Sequence, residues 1–460
     1  MENFWDSNVW GFFCLIAVLM TSLLVANMLK RSFPILEASL IPTSVLGGGI
    51  LLVFASIYKI ITDVNFFDTA LFDGNGSGML EMITYHCLAL GFIASALKTS
   101  DGKFTKQRTV EILNTGFTTV ATYLLQAFVG MIVCIIASFF LDDFLAAAGI
   151  LLALGYGQGT GQAMNYGSIY EGYGLVGGKS FGLTIAALGF LCAAFGGVIH
   201  LNILKRQGKI KLDKGTGAVT EEVEGENEVP MQENMDKFTI QMGLIVLSYA
   251  IGYILMYLLG NLVPGLKSAI YGFNFLLGVI AATLLKAVLK ALQKKSIIHR
   301  NYTNNFLLTR SSNFFFDIMV TAGVAAIRLD QVEAYWGVIV LLGLLGLVVT
   351  YVYLHFVCNK LFPSYADQQF LAMYGMLTGT ASTGVILLRE IDGDFKTPVA
   401  DNLVYQNFPA MVLGFPILIL ATMAPTKPYF TLAIIAAFGI VINILLFRSL
   451  IFKKKAAAVK

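Results

Sequence analysis

The sequence predicts an all-α polytopic membrane protein, and three observations lead there. Of 460 residues, 57% are hydrophobic and only 13% charged. A soluble domain carries about 25% charged residues, so the chain lacks the polar surface a water-soluble fold of this length needs. Its apolar residues also fall in runs near 20 residues, the length that crosses a bilayer as a helix.

Eleven runs read as spans: 9–29, 35–58, 80–97, 114–140, 179–204, 238–262, 269–290, 306–327, 333–359, 402–424 and 428–452. The first is preceded by Glu2 and Asp6 and followed by Lys30 and Arg31, the reverse of a signal peptide's charge order. Two further runs, 144–168 and 366–388, are apolar but interrupted by Gly, Thr and Ser, and are read as re-entrant hairpins.

The positive-inside rule tests that layout. With the N-terminus outside and both hairpins returning to the side they left, only Lys59, Lys179, Lys267, Arg328 and Lys427 of the 31 Lys and Arg residues fall outside. If either hairpin crossed, every later loop would change sides and the bias would vanish. The C-terminus is then cytoplasmic. Trp5, Trp10 and Trp336 fall at outer span ends, where an aromatic belt is expected.

Residues 205–237 are the one long polar stretch, with Glu221, Glu222, Glu224, Glu226, Glu228 and Glu233, and read as a flexible cytoplasmic linker. The linker separates 1–204 from 238–425. Each half shows four spans, a Gly-rich hairpin and a span, and five spans in the first half start the second from the opposite side. Such inverted repeats mark secondary transporters, whose sites lie where helices are broken. Residues 426–460 add an extra span and a basic tail.

The first hairpin carries Gly155, Gly157, Gln158, Gly159, Thr160, Gly161, Gln162 and Asn165; the second carries Gly375, Thr378, Gly379, Thr380, Ser382, Thr383 and Gly384. Unwound carbonyls and hydroxyl or amide oxygens suit sodium, and half-helix N-termini suit a carboxylate. Glycine clusters also serve close helix packing, but two of them at matching positions in inverted halves favour a site.

Asp317 is the only acid deep in a predicted span, with Asn313 one turn before it on the same face. A charge there is costly, which points to an ion pathway or a cation ligand. Arg389 ends the second hairpin; it offers a bidentate partner for a carboxylate, against a plainer place in a charged loop with Glu390, Asp392 and Asp394. His86 and His355 read as helix-packing hydrogen-bonders, as do Gln406 and Asn407.

Other classes are poorly supported. Cys14, Cys87, Cys134, Cys192 and Cys358 have no metal or redox spacing. No nucleotide loop, His-Glu-x-x-His motif or nucleophile–base pair occurs, and an intramembrane aspartyl protease would need a second facing aspartate; the chain is not expected to be an enzyme. No basic run is interleaved with aromatics, so nucleic acid is not an expected partner. A channel would be a symmetric oligomer around a shared pore, which an internal inverted pair does not suit.

The hairpin residues resemble the bacterial sodium/glutamate symporter family. Gly157, Gln158, Gly159, Thr160 and Gly161 stand where that family has Gly-His-Gly-Thr-Gly, with Gln158 in place of His. Gly375, Gly379 and Thr383 fall on its Gly and Thr positions. Ile41, Pro42, Val45, Gly47 and Gly48 resemble its Ile-Pro-x-Pro-Val-x-Gly-Gly, and Gln126 and Asn313 also match. An Asn that the family has after the second Thr is apolar here, near Leu387. The resemblance covers about residues 9–425 in element order. It implies a homodimer in the bacterial cytoplasmic membrane and an elevator-type mechanism, in which a transport domain moves against a scaffold. It also implies sodium-coupled import of glutamate or a similar anionic amino acid, with sodium as coupling ion and no other cofactor. A sodium-coupled di- or hydroxycarboxylate carrier is the alternative.

Overall fold

The computed structural model describes residues 4–99, 105–142, 144–209, 228–231, 234–264, 267–272, 274–393 and 396–451. Among these the chain is helical, and β-pairing is limited to one bridge between Glu228 and Asn301. In order the helices are α1 (Ser7–Ser32), α2 (Pro34–Ala38), α3 (Thr43–Thr62), α4 (Gly76–Leu97), α5 (Lys106–Ala137), α6 (Leu151–Glu171), α7 (Gly178–Arg206), α8 (Lys237–Leu262), α9 (Lys267–Gly272), α10 (Asn274–Lys294), α11 (Asn305–Ala325), α12 (Trp336–Leu361), α13 (Ala366–Thr378), α14 (Ala381–Arg389), α15 (Val399–Tyr405), α16 (Asn407–Met423) and α17 (Pro428–Leu446). Among the described residues, nine helices are long and apolar enough to cross a membrane. A tenth is counted if the pair Val399–Tyr405 and Pro409–Met423, bent by 49°, is one span.

Several boundaries differ from the sequence expectation for local reasons. The run 35–58 is divided: α2 stops at Ala38, Leu40 takes φ 56°, and α3 starts only after Pro42. Proline has no N–H and disfavours helix in the residue before it. The run 306–327 does form α11, but α11 is not among the nine, since Thr309, Arg310, Ser311, Ser312, Asn313 and Asp317 dilute its hydropathy. Helix α17 ends at Leu446, a further helical turn follows at 448–451, and the basic tail 452–460 lies outside the described residues.

Most of the expected flexible linker, 210–227 with Glu221, Glu222, Glu224 and Glu226, also lies outside the described residues, as do Glu233 and Asp394. Its end is fastened. Glu228 accepts from Lys237 Nζ and from Asn304 Nδ2, each at 2.7 Å, and Val229 N–H donates to the Asn301 carbonyl at 3.1 Å.

The chain forms two compact units that cut across the sequence halves. One comprises residues 1–20, 64–103 and 219–323, and is built on α4, α8, α10 and α11. There α8 and α10 approach at Gly252 and Gly278, and Ser312 Oγ donates to the Gly91 carbonyl of α4 at 2.9 Å. Lys286 Nζ caps the end of α4, donating to the carbonyls of Ala96 at 2.7 Å and Lys98 at 2.9 Å.

The other unit comprises residues 21–63, 104–218 and 324–460. It takes the span–hairpin–span segment of each sequence half: α5, α6 and α7 from the first, and α12 to α16 from the second. Its core includes Phe181, Ile185 and Phe190 of α7 and Phe370, Leu371 and Tyr374 of α13, all buried.

Candidate functional site: two broken helices meeting on one helix

Both Gly-rich segments are broken where the sequence places their glycines. In α6 the break is Gly159, with φ 78° and ψ −171°, a region that essentially only glycine occupies. Between α13 and α14 it is Gly379, with φ −140° and ψ −106°.

The packing register gives the direction of each arm. Helix α13 runs antiparallel to α7: its Phe370 ring lies 4.2 Å from the His200 ring, Tyr374 Oη donates to the Cys192 carbonyl at 2.9 Å, and the Thr378 carbonyl lies on Gly189. It runs parallel to α5, for Gln369 Nε2 reaches Thr115 Oγ1 at 3.4 Å and the Leu377 carbonyl accepts from Gln126 Nε2 at 2.9 Å. So α5 and α7 are antiparallel to each other.

The first arm of α6 is antiparallel to α5: Gly149, just before it, lies on Gly130, and Tyr123 Oη donates to the Gly157 carbonyl at 2.9 Å. The second arm is antiparallel to α7, with the Ala163 carbonyl on Gly182 and the Gly167 carbonyl on Gly178. The two arms therefore point in opposite directions, and the chain turns back at Gly159. The second hairpin closes on itself more directly. A Cβ on Gly375 would lie 2.8 Å from Gly384 Cα, so α13 and α14 touch through bare backbone.

The two hairpins approach from opposite ends of α7, and their breaks meet at Gly189. A Cβ there would strike the Thr378 carbonyl of one hairpin and come within 2.9 Å of Tyr156 Cδ1 of the other. Gly379 lies on Phe190, the next residue of α7. On α5 the two breaks are contacted from Tyr123 and Gln126, about one turn apart. On α12, Gly343 accepts from Tyr156 Oη at 2.7 Å, and Thr350 Oγ1 accepts from Gln126 Nε2 at 2.8 Å.

Most of the residues expected at the site are gathered here. Gly157, Gly159, Thr160, Gly161 and Asn165 are buried in α6, and Gln158 is half-buried. Thr378 Oγ1 donates to the Tyr374 carbonyl at 2.6 Å, and Thr380 caps α14 by accepting from Thr383 N–H at 3.3 Å. The side chain of Ser382 lies outside the described residues. Arg389 is not at the break. It is exposed at the far end of the 9-residue α14, about 13 Å along that helix. Asn313 and Asp317 belong to the other unit, where both side chains are exposed on α11.

Two groups at the breaks stand out electrostatically, both uncharged. Gln126 is fully buried; its Nε2 has the partners given above, but its Oε1 has none. It faces the C-terminal end of α13, where helix carbonyls run short of N–H partners. Gln162 is 1% exposed, and among the described residues neither Nε2 nor Oε1 has a hydrogen-bond partner. Gln162 was within the glycine run but carried no special signal there. Its neighbours Tyr166 and Tyr170, at helical spacing, were the available clue, since they mark the face that packs. Tyr123, Tyr156 and Tyr374 were missed because in sequence they read as ordinary apolar-run aromatics.

Compared with protein-family models and with curated proteins, the chain matches none.

Proposed function

We propose that this protein is a secondary symporter that imports glutamate or a similar anionic amino acid with sodium, working as a homodimer in a bacterial cytoplasmic membrane. The observation that carries the reading is the meeting of two oppositely directed broken helices at Gly189. Broken backbone at membrane depth persists where it is buried in protein or lines a wet cavity, and opposed half-helix ends are how carriers hold a solute and an ion together. In this reading both hairpins are re-entrant, and the compact unit that contains them is the moving part. Both belong to one compact unit, as that reading requires.

The coupling follows from charge. Carrying a net −1 substrate into a negative-inside cell costs about 2.3 kcal/mol per 100 mV, so at least one cation must accompany it. Gln126 Oε1 and the carbonyl end of α13 supply neutral oxygens for sodium. The test is uptake of labelled L-glutamate into proteoliposomes, expected under an inward sodium gradient and not under a potassium one. Equal uptake with the two ions contradicts sodium coupling. Sodium-driven uptake of citrate or malate, but not glutamate, transfers the assignment to a di- or hydroxycarboxylate carrier.

A further inference from the structure

The two breaks are not chemically equivalent. At the second, Thr380 occupies the N-cap of α14 and its hydroxyl accepts from Thr383 N–H, so the chain satisfies that helix start itself. At the first, the residue at the break is Gly159, which has no side chain to cap the arm that begins at Thr160. In the first turn of that arm stands Gln162, buried and unpartnered at both amide atoms. A break residue with no side chain of its own and, within the next turn, a buried amide with no partner among the described residues are separate observations, and together they point to a ligand at that turn.

The direction in which Gln162 faces follows from its stripe. Residues four apart share one side of a helix. Tyr166 Oη donates to the Leu418 carbonyl at 2.9 Å and Tyr170 Oη to the Ala421 carbonyl at 2.8 Å, both on α16. The stripe therefore faces α16, and the two members farther from the break are satisfied by it. The third member, nearest the break, is not.

We infer that the substrate carboxylate binds at the first break, and that Gln162 selects carboxylates carrying a hydrogen-bond donor on the α-carbon. This rests on the symporter reading above. An amide donates through nitrogen and accepts through oxygen, so its missing partner must do both. A carboxylate flanked by an α-ammonium or an α-hydroxyl does so: its oxygen accepts from Nε2, and the α-substituent donates to Oε1. An unsubstituted dicarboxylate only accepts and leaves Oε1 unpaired. A site with a buried polar group discriminates strongly against a ligand that cannot pair with it.

The experiment is proteoliposome uptake with three labelled five-carbon diacids that differ only at the α-carbon: L-glutamate, L-2-hydroxyglutarate and glutarate. The wild type is expected to prefer glutamate over glutarate by about a hundredfold or more in kcat/KM. Gln162→Met removes both amide functions, and the preference should fall to within about tenfold, mostly through a higher KM for glutamate. The purified Gln162→Met variant should keep or raise its melting temperature, since it conserves volume and removes an unpaired buried amide. The behaviour of 2-hydroxyglutarate distinguishes the two donors: rivalling glutamate points to any α-donor, and resembling glutarate points to the ammonium. An equal loss for glutamate and glutarate in Gln162→Met, or no loss for either, overturns the inference. No uptake of any diacid by the wild type refutes the symporter reading instead.

Discussion

Gly159→Ala is expected to abolish uptake while the protein still inserts and purifies. At φ 78° and ψ −171° a Cβ is strained whatever space surrounds it, at a cost of roughly 1–3 kcal/mol. The cheapest relief is to rotate Gly159 to an ordinary conformation, and that unbends the turn on which the second arm depends. Uptake rate and melting temperature separate the outcomes: transport should fall by more than about tenfold for a stability loss of only 1–3 kcal/mol. Wild-type transport in Gly159→Ala would show that the turn has no part in the site. Gly379→Ala differs in kind. The new Cβ would lie 3.0 Å from the Gly375 carbonyl oxygen and 3.2 Å from Phe190. Its penalty is crowding.

Gly189→Ala is the second large effect. Its Cβ would meet the Thr378 backbone carbonyl, which cannot yield as the end of a flexible side chain can, and the Tyr156 ring. Packing an extra carbon into such a contact costs about 1–3 kcal/mol and here pushes the two breaks apart. Transport should be lost in reconstituted vesicles. Gly337→Ala, in α12, is the matched control, for nothing lies within 4 Å of its added Cβ. That change should be neutral or stabilising by up to about 1 kcal/mol. Equal transport in the two variants would mean that contact at Gly189 does not matter.

The class of fold and both breaks were legible because their causes are local. Apolar length marks a helix, and clustered glycine weakens one, whatever surrounds it. The meeting of the breaks was not legible. It depends on which carbonyls of α6 and α13 face α5, α7 and α12, and those contacts join residues far apart in the chain. The exchange of segments between units was hidden for the same reason. Asp317 drew attention by its charge in an apolar run, but it belongs to α11 of the other compact unit, where its side chain is exposed. Arg389 drew attention by its charge, yet a rigid helix holds it away from the break. Gln162, beside the favoured Gln158, is singled out only by the absence of a partner, which one-dimensional reading does not reveal.

The most direct test of the central claim, that both broken helices return to the side they entered from, is labelling of single cysteines with an impermeant maleimide. The background lacks Cys14, Cys87, Cys134, Cys192 and Cys358. Phe140→Cys and Tyr173→Cys flank the first hairpin, and Lys360→Cys and Lys396→Cys flank the second; all four positions are exposed. The first pair should label from outside intact cells and the second pair only after the cytoplasmic face is opened. Members of either pair labelling from opposite sides would show that the segment crosses the membrane and is not re-entrant.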